Sequence, residues 1–107
     1  MNSKILGFIK SCIEERKIKW TYHVNMRLGG RFIPRTAILD SVDTFEIIEE
    51  YSGDKYLPSY LICSKYLNEV IHILVASDIE TGNVIIITAY KPDPRKWSED
   101  FKVRRKS

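Results

Sequence analysis

The spacing of apolar residues changes period once, near residue 44, and that switch constrains the fold more than any other feature of the chain. Before it, Ile5, Leu6, Phe8, Ile9, Cys12 and Ile13 recur three and four residues apart, the interval that lines one face of an α-helix. The spacing predicts a helix from Ser3, a candidate N-cap, to about Arg16. A second helix is expected from Thr21, again a candidate cap, to the Gly29-Gly30 pair, which offers a natural stop. Pro34 suits the first turn of a third helix, whose apolar stripe is Ala37, Ile38, Leu39 and Val42 and which should end near Asp43.

After the switch come four short runs rich in Ile, Val and Tyr: Phe45 to Tyr51, Ser59 to Ser64, Val70 to Ser77 and Val84 to Lys91. The links Asp78 to Asn83 and Ser52-Gly53-Asp54 carry turn chemistry, so the runs should form an antiparallel meander. The unbroken Val84-Ile85-Ile86-Ile87 marks a central strand covered on both faces or nearly so. Helices first and strands second give an α+β fold, with helices packed on a four-stranded antiparallel sheet in chain order or nearly so. At 107 residues one domain is expected, with a core over about 3–91. The basic segment 92–107 should form an extended arm, anchored by Trp97 and Phe101, with a frayed end.

Composition narrows the class. With 44% apolar and 29% charged residues the chain should fold unaided. No run approaches the roughly 20 apolar residues that cross a bilayer, and Lys10 interrupts the N-terminal apolar stretch, so a cytoplasmic protein is expected. Cys12 and Cys63 sit in apolar patterns without CxxC spacing and read as reduced core residues. With two His as the other strong ligands, neither a metal nor a cofactor is expected.

The net charge of +3 is unevenly spread: +6 over residues 1–35, −7 over 36–90 and +4 over 91–107. If the two basic ends meet, they present a face suited to a polyanion or an acidic protein rather than a membrane. Equally, the charges simply face water.

His23, Arg27 and Arg31 are spaced four apart, which sets them on one helical face. An imidazole moves protons near neutral pH, and guanidinium groups hold phosphate or developing negative charge. Metal-free RNA cleavage needs both: a base for the 2′-OH, an acid for the leaving 5′-oxygen and a cation on the phosphorane. The structural alternative is a locally bonded His23 with arginines facing water or glutamates. Thr88 and Tyr90 share a strand face where their hydroxyls could contact phosphate. His72 reads first as a hydrogen-bonded or rim histidine, with substrate contact as the alternative. Tyr22, Trp20 and Trp97 could stack on bases, or serve as ordinary core and rim aromatics.

The pattern Trp20, His23, Arg27, Arg31, followed by the blocks Glu46 to Tyr51, Leu57 to Leu61, Val70 to Ala76 and Ile86 to Asp93, with Trp97, Phe101 and Arg104-Arg105, resembles a bacterial and archaeal family known as a domain of unknown function, DUF4258. That family is grouped with the barnase, colicin and RelE type of ribonuclease toxin. The resemblance implies helices followed by an antiparallel sheet, and a metal-independent ribonuclease or RNA-binding toxin-like activity. Its implied partners are RNA and an acidic antitoxin-like protein. The family's polar motif positions fall on His23, Arg27, Arg31, His72, Thr88 and Tyr90, so His23, Arg27, Arg31 and Tyr90 are the expected catalytic set. Tyr22, His72, Thr88, Arg104 and Arg105 are the expected substrate contacts. Here Gly29-Gly30 precede Arg31 and Phe32 follows it, so Arg31 is expected to leave the helix. The reading from a different class is a non-catalytic module that docks on an acidic partner.

Overall fold

A computed structural model describes residues 3–53 and 56–106; Asp54 of the expected turn and the terminal Ser107 lie outside them. The elements are α1 (Ser3–Glu14), β1 (Ile18–Trp20), α2 (Tyr22–Gly30), α3 (Arg35–Asp40), a 3-10 turn (Val42–Thr44), β2 (Glu46–Tyr51), β3 (Ser59–Tyr66), β4 (Glu69–Asp78) and β5 (Asn83–Tyr90). Among the described residues no helix is long and apolar enough to cross a membrane.

The chain is α+β, but its sheet is five-stranded and mixed, in the order β1-β5-β4-β3-β2. Strands β2 to β5 form the expected antiparallel meander. The four-stranded, wholly antiparallel sheet is corrected by β1, which runs parallel to β5 with Ile18 opposite Val84 and Trp20 opposite Ile86. Three residues are too few to display an alternating pattern, and a parallel partner more than sixty positions away leaves no local trace. The central position expected for residues 84–90 holds, since β5 lies between β1 and β4.

Both longer helices end on a left-handed residue that is not glycine. After α1, Lys17 N donates to Cys12 O (2.8 Å) and Arg16 N to Ile13 O (3.2 Å), with Arg16 at φ 62°. After α2, Ile33 N donates to Leu28 O (2.9 Å) and Phe32 N to Gly29 O (3.2 Å), with Phe32 at φ 57°. These are paired six-to-one and five-to-two closures, which satisfy the last free carbonyls of each helix. The glycines expected to stop α2 are therefore helical, and Phe32 makes the turn. At the other end Thr21 caps as expected, its hydroxyl accepting from Val24 N at 3.1 Å.

Helices cover one face of the sheet. Ile9 and Ile13, Val24 and Leu28, and Ala37 and Ile38 pack on Ile62, Ile71, Ile73, Val75, Val84, Ile86 and Ala89. Cys12 and Cys63 are buried and unpaired. The opposite face carries Leu61, Cys63, His72 and Leu74, which the register pairs directly across strands. Over it lies the C-terminal segment, and the extended arm is corrected here. Residues 96–105 fold back as a narrow loop, with Trp97 bridging Arg104, Ser98 N donating to Val103 O and Arg105 N to Lys96 O, both at 2.8 Å. Trp97 is only 3% exposed, because burying an indole of this size outweighs the cost of ordering a short strap.

Candidate functional site

Two β-bulges decide which side chains meet under this strap. In β5, Val75 faces Ile86 while Leu74 faces Thr88, so Ile87 is the extra residue. Alternation alone would set Thr88 and Tyr90 on the helix-covered face with Val84 and Ile86. The extra residue reverses that, and Ala89 enters the core while Thr88 and Tyr90 lie opposite Leu74 and His72. In β2, Ile47 faces Ile62 and Glu49 faces Leu61, so Ile48 does the same for Glu49 and Tyr51.

The result is three hydrogen-bonded groups of side chains gathered on the strap side of the sheet. Arg31, the first residue beyond α2, reaches β5 and donates through Nη1 to Thr88 Oγ1 (2.9 Å) and Ala89 O (2.8 Å). Its expected departure from the helix is what frees it to do so. His72 is fully buried, its Nε2 lying 2.7 Å from Phe101 O and its Nδ1 3.3 Å from the Tyr90 hydroxyl. Tyr90 and Trp97 both meet the imidazole edge-on, at centroid distances of 5.4 and 4.5 Å. Arg104 stacks 4.7 Å over Trp97 and forks onto Glu49, with Nε to Oε2 at 2.7 Å and Nη2 to Oε1 at 3.1 Å. The Tyr51 hydroxyl donates to the same carboxylate.

Electrostatics follow from this packing. Burial holds the His72 pKa below its ordinary value, against the Phe101 carbonyl and Glu49, which favour the charged ring. Burial also raises the Tyr90 phenol, opposed by Arg104 and Arg31. The Arg104 hydrogen bond depresses Glu49, and Glu49 in turn raises Arg104. This fork is open to water, with the arginine side chain 59% exposed, so it orients the strap more than it stabilises it.

Of the expected site residues, Arg31, His72, Thr88, Tyr90 and Arg104 come together. His72 has no ring nitrogen left for a ligand and can act only through Tyr90. Arg104 is committed to Glu49. Arg105 lies apart and donates to Pro94 O (2.9 Å). Tyr22, His23 and Arg27 are exposed on α2, and among the described residues no carboxylate pairs with Arg27 or Arg31. The Tyr22 and His23 rings meet edge-on, with centroids 6.2 Å apart. Trp20 lies under Arg35, 4.6 Å from the guanidinium, which also forks onto Asn25. The basic tail lies on the acidic middle of the chain, through Arg104 to Glu49 and Lys102 to Glu46, so much of its charge is internally balanced. Glu49, Tyr51 and the Phe101 carbonyl were not legible as site groups. The doublets Ile47-Ile48 and Ile86-Ile87 were the available signal, since paired apolar residues in half-covered strands mark a bulge.

The family model for Domain of unknown function (DUF4258) matches residues 20–91. The chain belongs to that family. The DUF4258 match runs from the last residue of β1 through β5 and contains His23, Arg27, Arg31, His72, Thr88 and Tyr90. The strap with Trp97, Phe101 and Arg104 lies beyond it, so part of this site's cover is outside the matched region. No curated protein and no solved structure matches the chain.

Proposed function

We propose that this DUF4258 domain binds RNA through its phosphodiesters, as a metal-independent ribonuclease or RNA-binding toxin-like domain of the barnase and RelE type. The observation that carries the reading is Arg31. One guanidinium nitrogen is fixed on β5, and the rest of the group faces solvent beside Thr88 and the half-buried Tyr90. A cation held on one side and open on the other is pre-ordered for an anion, because little side-chain entropy remains to be lost. Arg27, one turn before Arg31, adds an exposed cation, and the reading assigns the acid/base role to His23, exposed a further turn back along α2.

Bulk RNA incubated with the protein in EDTA tests this. Binding that weakens steeply with salt is expected, with strand cleavage if His23 acts as acid/base. Arg27→Ala should lower RNA affinity several-fold and leave stability within about 0.5 kcal/mol. Absence of any RNA binding at low salt would overturn the proposal.

A second reading, docking on an acidic partner protein, has its own support. Phe32 and Leu67 are 86% and 80% exposed, both left-handed (φ 57° and 50°), on a cleft of about 420 Å³ floored by Ile33, Ala37 and Ile71. Large apolar residues held exposed in a strained conformation suit a protein contact better than an isolated monomer. Co-purification of a stoichiometric acidic protein, lost on Phe32→Ser with Leu67→Ser, is the expected result on that reading.

A further inference from the structure

The hydrogen-bond directions around His72 fix what Tyr90 can offer a ligand. A backbone carbonyl only accepts, so the imidazole proton that satisfies Phe101 O at 2.7 Å resides on Nε2. The ring is fully buried, which keeps it neutral. Its Nδ1 therefore carries a lone pair, and the Tyr90 hydroxyl facing it at 3.3 Å must be the donor. With its own proton directed inward, the Tyr90 oxygen turns acceptor lone pairs towards the site. Among the described residues no donor is bonded to it.

The groups around Tyr90 are the Arg31 guanidinium at the end of α2, Arg104 on the strap, Glu49 and Tyr51 on β2, and His72 on β4. Arg104 and Glu49 are bonded to one another, and Tyr51 is bonded to Glu49. Arg31 is left as the cation open to an anion. Thr88 accepts from Arg31, so its own hydroxyl proton is available to a ligand oxygen. The site thus offers donors at Arg31 and Thr88 and, two residues further along the same strand face, an acceptor at Tyr90.

A ligand that matches needs an anion with a hydroxyl donor beside it. A ribose 2′-hydroxyl next to its 3′-phosphate has both, and a deoxyribose phosphodiester has only the anion. We propose that the Tyr90 oxygen, oriented by His72, accepts the ribose 2′-hydroxyl of a strand whose phosphate is held by Arg31 and Thr88, and so selects RNA over DNA. This rests on the RNA-binding reading above. His72 is here a positioning residue and never touches the ligand.

The test is fluorescence anisotropy at 4 °C with three single-stranded oligonucleotides of one sequence: RNA, DNA and 2′-O-methyl RNA, with their integrity checked on a denaturing gel afterwards. The methylated sugar keeps the 2′-oxygen but cannot donate. RNA is expected to bind about three- to tenfold more tightly than either of the others, the span that one net hydrogen bond supplies. Tyr90→Phe should bring RNA to the level of DNA, with the fold checked by circular dichroism. His72→Gln, which can also donate to Phe101 O and accept from Tyr90, should retain selectivity that His72→Leu loses. Equal binding of all three by the unaltered protein would overturn the inference and leave phosphodiester binding standing. Failure to bind any of them would overturn both.

Discussion

Acidification should loosen this domain through one buried group. His72 is fully buried, and burial holds its pKa below the ordinary 6.5 that it regains on unfolding. Between those two values the unfolded chain binds a proton that the folded one refuses. Stability is therefore fully present above pH 6.5 and falls as pH drops towards the folded pKa. If folded His72 stays neutral throughout, the loss between pH 7.5 and 5.5 approaches about 1.4 kcal/mol, the free energy of one pKa unit. For a chain of this size that is a fall in melting temperature of roughly 5–10 °C. Urea titrations at the two pH values would measure it, with His72→Gln as the control, since Gln can occupy the site without titrating. Glu49, whose pKa is depressed, loses its contribution only below the ordinary carboxylate range near 4.5 and does not enter this window. A wild-type midpoint that does not move, or a glutamine variant that moves as much, would refute the assignment of the effect to His72.

Trp97→Ala should cost about 3–5 kcal/mol, because it removes the buried anchor of the strap, and protease should then cut within 98–106 before the remainder. Uniform resistance of that segment would show that Arg104 and Lys102 suffice to hold it. Phe32→Gly should stabilise the chain by up to about 1 kcal/mol in urea melts, since it relieves a left-handed phenylalanine with an exposed ring. A loss of stability would mean that the ring contributes packing that its exposure hides.

The sequence by itself determined the layer order. Helical spacing up to Val42 and the Ile, Val and Tyr runs from Phe45 are local patterns, and they specified three helices and an antiparallel meander because each element must bury its own apolar face. It also brought His23, Arg27, Arg31, His72, Thr88 and Tyr90 forward as polar residues of one family pattern. Three things were decided only in three dimensions. The parallel pairing of Ile18–Trp20 with β5 is an edge contact between segments far apart in the chain, with too few residues to signal it. The strap was legible as a basic tail, but its return across the sheet depends on where the other face left room for Trp97. The site itself was decided by parity. One extra residue in each of β2 and β5 turned Glu49, Tyr51, Thr88 and Tyr90 to the face that His72 already occupied. A two-residue period propagates along a strand until a bulge breaks it, and whether a bulge forms depends on the core that the neighbouring strands must fill.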